Sequence, residues 1–393
     1  MKKFFKFLVV AALPAITFVA CDNGNEVDDN DKDLALTPVV EQYVNKTVIP
    51  TYKNLADATI ELVEALEALR ASVTEANINA ATSAWKETRV HWEQSEAFLF
   101  GAVADFGIDP HIDTWPLDEN RLASTVSNQG FLDGMEEEGA AWVDANLGSS
   151  LIGFHGIEYV LFANGEAKSL TEITSIKDSE LIYAIAVAED LRNRCIQLEV
   201  SWAGEDKVTA DKKELMEELE LPVTASNSSL SYGENMLKAG QLGSTYPSVT
   251  AAAAQIMDGA ITIADEVGNI KIGTAANEGD KENYNADHIE SPYSHNSLKD
   301  FHDNIVSIEN AYLGGPAASR DASKSLSNYI KSVDASVDQT VKDAITASYA
   351  AIAAIQPPFK TNYNTQKADD AVRIIGTDLV EALEAANAII LEQ

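Results

Sequence analysis

The run Gly153-Phe154-His155-Gly156-Ile157-Glu158-Tyr159-Val160-Leu161-Phe162 sets an imidazole and a carboxylate into an otherwise apolar stretch. Residues three apart lie on one face of an α-helix, so His155 and Glu158 can address the same ion or the same neighbour. Burying both is costly unless a hydrogen bond, an opposite charge or a metal compensates. The pair therefore needs a partner: a metal ion, or ordinary core pairing of the histidine with a carbonyl and of the glutamate with an arginine. Glu93 and Glu96 repeat the three-residue spacing beside Trp92 and Phe98. Two facing helices would then converge three carboxylates and one imidazole, which is similar to the Glu plus Glu-x-x-His logic of carboxylate iron bundles, with different connectivity. Such an oxygen-rich set with one nitrogen suits iron, manganese, zinc or copper better than soft thiophilic metals. Asp113 can add a further oxygen from a loop. Arg89, one turn before Glu93, is expected to neutralise or orient a carboxylate. Trp85, Trp92 and Trp115 are expected in the core, because large aromatics dominate cores.

Four segments occur in the order seen in the imelysin family of bacterial envelope proteins, and the chain resembles that family over most of its length. They are Trp85-Lys86-Glu87-Thr88-Arg89-Val90-His91-Trp92-Glu93-Gln94-Ser95-Glu96-Ala97-Phe98-Leu99-Phe100-Gly101, then Ile112-Asp113-Thr114-Trp115-Pro116-Leu117-Asp118, then the His155 run, then Ser291-Pro292-Tyr293-Ser294-His295-Asn296-Ser297. The resemblance implies a helical, membrane-anchored or periplasmic protein linked to iron uptake. One branch of the family takes its name from a peptidase activity. The resemblance also implies that the Asp113 loop lies near the site and that Ser294 and His295 reach the cleft from the second half of the chain.

The elements that must position these residues are helices. From Thr37 onward apolar residues recur at three and four spacing, with no convincing alternating strand. Thr37 with Pro38 opens a first helix that runs past a kink at Pro50 to about Ser72. Thr74 caps a second, which carries Trp85 to Phe100 and stops at Gly101. A long loop from Ala104 to Pro116, an acidic helix near Phe131 to Ala145 and the His155 helix follow. Thr171 starts a long helix that ends near Trp202. Charge, Ser, Gly and Pro then dominate from Gly204 to Pro247, which marks a domain boundary. The second half places helices near Val249 to Asn269, Ser297 to Leu313, Ala317 to Gln356 with a break, and Asn364 to Leu391. Ser297-x-x-Asp300 reads as a capping box. The expected fold is all-α, two packed four-helix-bundle-like domains at 37–204 and 205–393. Ile308-Glu309-Asn310-Ala311-Tyr312-Leu313-Gly314 loosely echoes Gln94 to Gly101, a hint of duplication.

Residues 1–20 carry Lys2, Lys3 and Lys6, no acid, and an apolar run through Val19, which reads as a secretory signal. Ala20-Cys21 resembles a lipoprotein cleavage box, so Cys21 is the expected lipidation site and residues 21–36 a flexible acidic tether. Loss of the signal would leave 25 of 28 basic residues against 62 acidic ones. A surface so acidic repels nucleic acid and anionic headgroups and favours cations. With Cys21 lipidated, Cys195 has no disulfide partner and is expected in the core. His288, His295 and His302 are spaced by seven, but Pro292 interrupts any shared helix. His91 and His111 are expected at the surface.

No His-Glu-x-x-His and no Gly-x-Ser-x-Gly occurs, so zinc peptidase and serine hydrolase motifs are missing. The expected function is an envelope-anchored, lipid-held metal-binding protein of iron uptake, taking a metal ion or chelate and serving an envelope transporter. A metallopeptidase, and a glycan- or protein-recognition module built on an aromatic cleft, are the alternatives.

Overall fold

The computed structural model describes residues 29–276 and 285–392; the signal segment and Cys21 lie outside the described residues. Among the described residues every regular element is helical but for one hairpin of two-residue strands, Phe162–Ala163 (β1) with Glu166–Ala167 (β2). Asn164 and Gly165 turn that hairpin with positive φ, the chemistry that tight hairpins require.

Helix α1 (Asp29–Tyr43) begins well before Thr37, and Leu36 is buried, so the expected tether gives way to helix from Asp29. Its apolar positions Leu36, Val39, Val40 and Tyr43 outweigh the acidic start. A π-helical turn, Val44–Val48, joins it to α2 (Ile49–Ala71), where Pro50 sits in the first turn, which tolerates the missing N–H. Thr74 caps α3 (Glu75–Glu93) by accepting from the Asn77 N–H at 3.2 Å. The α3 helix stops at Glu93, short of the expected Gly101. There the Ser95 hydroxyl takes the Trp92 carbonyl at 2.7 Å, and Glu96–Phe98 continues as a 3-10 turn. The expected acidic helix is two short ones, Gln129–Glu138 and Ala140–Asn146, parted at Gly139 with φ +54°. Helix α4 (Gly153–Leu161) carries the His155 run, and α5 (Glu180–Ala203) follows a separate short helix capped by Ser169 and Glu172.

The second half is built from α6 (Val249–Asp265), which passes into a π turn at Glu266–Ile272, then α7 (Ser297–Leu313), α8 (Ala335–Ala354) and α9 (Val380–Leu391). No capping box forms at α7: Ser297 Oγ donates instead to the Glu290 carbonyl at 2.5 Å, and Asp300 turns inward. In the first half α2 lies against α3 and α5, and α4 packs on α3 and α5. In the second, α6 packs on α7 and α9. The α1 helix crosses over to pack on α6, so one hydrophobic core runs through both halves. Cys195 is buried within it and forms no disulfide among the described residues. The seam where α3 meets both α4 and α7 is where the polar residues collect.

Candidate metal centre

The site begins with how α4 is wedged in place. Gly153 starts the helix with φ +75°, and a Cβ there would run into the Ile112 carbonyl, so the helix start rests directly on the loop that carries Asp113. Trp85 Nε1 donates to the Phe154 carbonyl at 3.0 Å. His155 and Glu158 are therefore held on a fixed, fully buried face.

His155 lies between two carboxylates. Its Nδ1 meets Glu158 Oε2 at 3.1 Å and its Nε2 faces Asp113 Oδ1 at 3.2 Å. Burial alone would push the imidazole pKa down, but the bonds to Asp113 and Glu158 outweigh it and hold it up to about 10. Burial would raise Asp113; Arg89 and His155 together reverse that and hold its carboxyl well below the usual range. Trp92 Nε1 donates to its other oxygen at 2.6 Å. The Glu158 side chain reaches across the seam: its Oε1 accepts the Tyr293 N–H at 3.0 Å, the Ser294 N–H at 2.8 Å and the Ser294 hydroxyl at 2.7 Å.

Arg89 sits at the centre. It pairs with Glu93 and Asp113, reaches Glu290 at 2.8 Å and Asp300 at 3.5 Å, and stacks 4.9 Å from the Phe154 ring centre. Lys271, from the π turn after α6, places Nζ 3.1 Å from Glu290, 3.5 Å from Glu96 and 3.7 Å from Glu93. Asn304 donates to Glu93, while Ser291 and Asn296 donate to Asp300 at 2.6 and 2.7 Å. Six carboxyl groups (Glu93, Glu96, Asp113, Glu158, Glu290 and Asp300) thus surround only three basic groups, Arg89, Lys271 and His155. Burial accordingly pushes Glu93 and Glu96 well above 4.5 against the pull of the cations, and lifts Asp300 to about 6. Asp109, at the edge, is lifted to about 7 by burial and by Asp113. The unmatched negative charge has to be met by protons or by a further cation.

The structure brings His155, Asp113, Glu93, Glu96, Arg89 and Trp92 into one cluster. Glu158 belongs to it through His155, but one of its oxygens is fully engaged across the seam. Ser294 makes that engagement. Trp115 lines the cluster, its ring 6.1 Å from His155, and bonds the His288 carbonyl at 3.3 Å. His295 lies apart, over Gly165 of the hairpin turn, with φ +59°. His91 and His111 are half-buried rather than at the surface, and His111 bonds Asp190 at 2.7 Å. Sequence reasoning missed Lys271, Glu290, Asp300 and Asn304. Lys271 had one legible signal, a lone charge in Val267-Gly268-Asn269-Ile270-Lys271-Ile272.

Donor atoms fall within 4.8 Å of one another in three overlapping sets: Asp113, His155 and Glu290; Glu93, Glu290 and Asp300; Glu93, Glu96 and Asp113. Within the first set, Glu290 Oε2 is buried and makes no hydrogen bond among the described residues, while His155 Nε2 is buried against Asp113 Oδ1. Carboxylate oxygens with one imidazole match the preference of iron, manganese and zinc, so the residues fit such an ion. A cleft of about 570 Å³, lined by Trp115, Leu117, Tyr293, Ile289 and Lys360, opens onto His155. The larger cleft, about 750 Å³, lies far from this chemistry between Arg70, Glu136 and Glu189.

Comparison with known proteins supplies a context for this geometry. Residues 48–390 match the family model described as Imelysin. The chain is 27% identical over 358 residues to a protein named iron-regulated protein A from Synechococcus elongatus, covering 91% of this chain and 85% of the relative. A crystal structure of a candidate iron-regulated protein A precursor from Parabacteroides distasonis is similar with a TM-score of 0.74 at 30% identity, over 94% of this chain and 98% of that one. An imelysin-like protein from Psychrobacter arcticum shares the fold, with a TM-score of 0.56 at 14% identity and 96% of each chain covered.

Proposed function

The chain belongs to the imelysin family, and from that premise we propose that it binds a transition-metal ion, iron foremost, in the buried cluster at the α3, α4 and α7 seam. The observation that carries this reading is the charge imbalance. Six buried carboxyl groups face three basic ones, and Glu290 Oε2 is left without a hydrogen bond among the described residues, beside His155 Nε2, which faces Asp113 Oδ1 at 3.2 Å. A bound ion supplies positive charge where the fold lacks it. His155, giving up the proton that Asp113 and Glu158 hold on it, would bind the ion together with Asp113 and Glu290, with Glu93 and Glu96 next to them. Glu158 orients the imbalance's one nitrogen donor by fixing His155 Nδ1, the usual task of a carboxylate behind a ligating histidine. Zinc, manganese and copper are the competing ions. The names of the relatives, iron-regulated protein A, favour iron as cargo.

In this reading the protein works at the cell envelope, lipidated at Cys21, takes up metal as ion or chelate, and passes it to an envelope transporter. No helix among the described residues is long and apolar enough to cross a membrane, which is compatible with a lipid anchor. A metallopeptidase is the second reading, and the cleft of about 570 Å³ beside His155 favours it, since a peptide would have room there. Anaerobic titration with Fe²⁺, Mn²⁺ and Zn²⁺, with elemental analysis and a peptide-turnover assay, tests both. One metal equivalent without turnover is expected. Turnover that depends on His155 would favour the peptidase, and absence of binding by folded protein would sink the proposal.

A further inference from the structure

We propose that Lys271 is a tethered competitor for the metal: its ammonium occupies the cation seat of the cluster, and an incoming ion displaces it toward Trp115. The inference rests on the metal-binding reading above. Each of the three donor sets contains at least one carboxylate that Lys271 holds: Glu290 in the first, Glu93 and Glu290 in the second, Glu93 and Glu96 in the third. An ammonium and an incoming ion compete for the charge of those carboxylates: Lys271 already shares Glu290 Oε1 with Arg89, and a further cation a few ångströms away is repelled by it.

Arg89 is no candidate for the same exchange. Its planar guanidinium is shared among four carboxylates and stacked on Phe154, and it cannot lose its charge. Lys271 differs on each count. Its charge is a point on a flexible four-carbon stem. Its Nζ already lies 5.2 Å from the ring centre of Trp115, and aromatic faces accept ammonium groups. That ring also lines the cleft opening onto His155. The stem, by contrast, is anchored: the π turn Glu266–Ile272 packs backbone to backbone through Gly268 on Gly376. A fixed stem with two seats for its head makes metal entry and departure an exchange of cations. The core then never holds the full uncompensated negative charge. Such a device suits a protein that must release its ion as well as bind it.

The test uses the purified full chain, with Mn²⁺ as the probe because it is redox-stable and prefers oxygen ligands. Lys271→Met removes the charge at similar length, and Lys271→Arg retains it. Titration calorimetry and melting curves with and without Mn²⁺ are read together. The expected result is binding at least ~tenfold tighter in Lys271→Met, with a larger metal-induced rise in Tm, and no gain in Lys271→Arg. Binding by Lys271→Met where the natural chain binds none also supports the exchange. Equal or weaker binding in Lys271→Met than in a natural chain that binds Mn²⁺ overturns this inference and leaves the metal reading standing. No binding by either overturns both. Where methionine prevents folding, Lys271→Gln, which keeps a polar head for Glu290, is read in the same way.

Discussion

His155 and Glu158 share one helical face, yet their tasks separate. His155 Nε2 looks into the cluster, whereas Glu158 Oε1 accepts three donors from Tyr293 and Ser294 and closes the seam. His155→Ala and Glu290→Gln are therefore expected to weaken metal binding by ~tenfold to a hundredfold or more, measured by titration. Glu158→Ala should lower stability as well as affinity, since each donor left without its acceptor costs about 1–3 kcal/mol and His155 loses the carboxylate behind it. A larger affinity loss in Glu158→Ala than in Glu290→Gln would contradict this division. The pH response follows from the same groups. His155, Glu93, Glu96, Asp300 and Asp109 all bind protons more tightly in the fold than in the unfolded chain. Such groups give their full stabilisation below their unfolded pKa and lose it as pH rises through the folded value. Asp113 has the opposite sign, and its stabilisation is lost only in acid. Without metal, Tm should fall as pH rises through about 6 and 7 toward about 10, and added metal should restore more at the upper end. A metal-free Tm that rises over that range would contradict the charge accounting. His155 and Asp113 were legible because each stands in a short run of unusual residue types. Glu290 was not, because its partner Arg89 lies 201 residues away in sequence.

At the scale of elements, two π turns set the geometry that helical periodicity does not reveal. Glu266–Ile272 and Ile374–Leu379 meet through Gly268 and Gly376 with no room for a Cβ between them. Gly268→Ala should destabilise by about 1–3 kcal/mol or more, the usual result of overpacking against backbone, and a melting curve checks it. An unchanged Tm would show that the turns part easily and that the stem of Lys271 is not anchored there. The segment from Gly204 to Pro247 keeps its polar, loop-rich character, with Leu242 fully exposed. Limited proteolysis should cut there first. The pieces should stay together, because the core and the Arg89 to Glu290 ion pair run across the cut. First cleavage inside α5 would refute this. Helix existence was legible from periodicity, and the Thr74 cap from residue type. The end of α3 was not, because Gln94 to Phe98 keep a helical apolar rhythm while Ser95 and its hydroxyl divert the backbone. The start of α1 was hidden for the converse reason: four acids mask a buried face that depends on α6, more than 200 positions away.

The whole molecule is an acidic body, −34 by formal charge, that gathers Arg89, Lys271 and His155 at one internal seam, while the buried Lys212 pairs with Glu199 elsewhere. The general plan of helices with a polar site between two halves could be anticipated from the chain, while the continuity of the core could not. It arises because α1, first in sequence, packs in the second half. The anchoring proposal is testable at this scale. Cys21→Ser should release the protein into the soluble envelope fraction or block its processing, since stable attachment by lipid requires the acylated residue. Retention of that variant in the membrane at the natural level and mass would remove the lipid anchor from the account. The central claim is that the acidic cluster around His155 binds a metal ion. Anaerobic titration of iron into the natural chain and into His155→Ala, with folding verified on the same samples, tests it most directly. The account predicts one equivalent bound by the natural chain, with binding weakened by ~tenfold or more in the variant. Equal affinity in two folded proteins, or no binding by either, would contradict it.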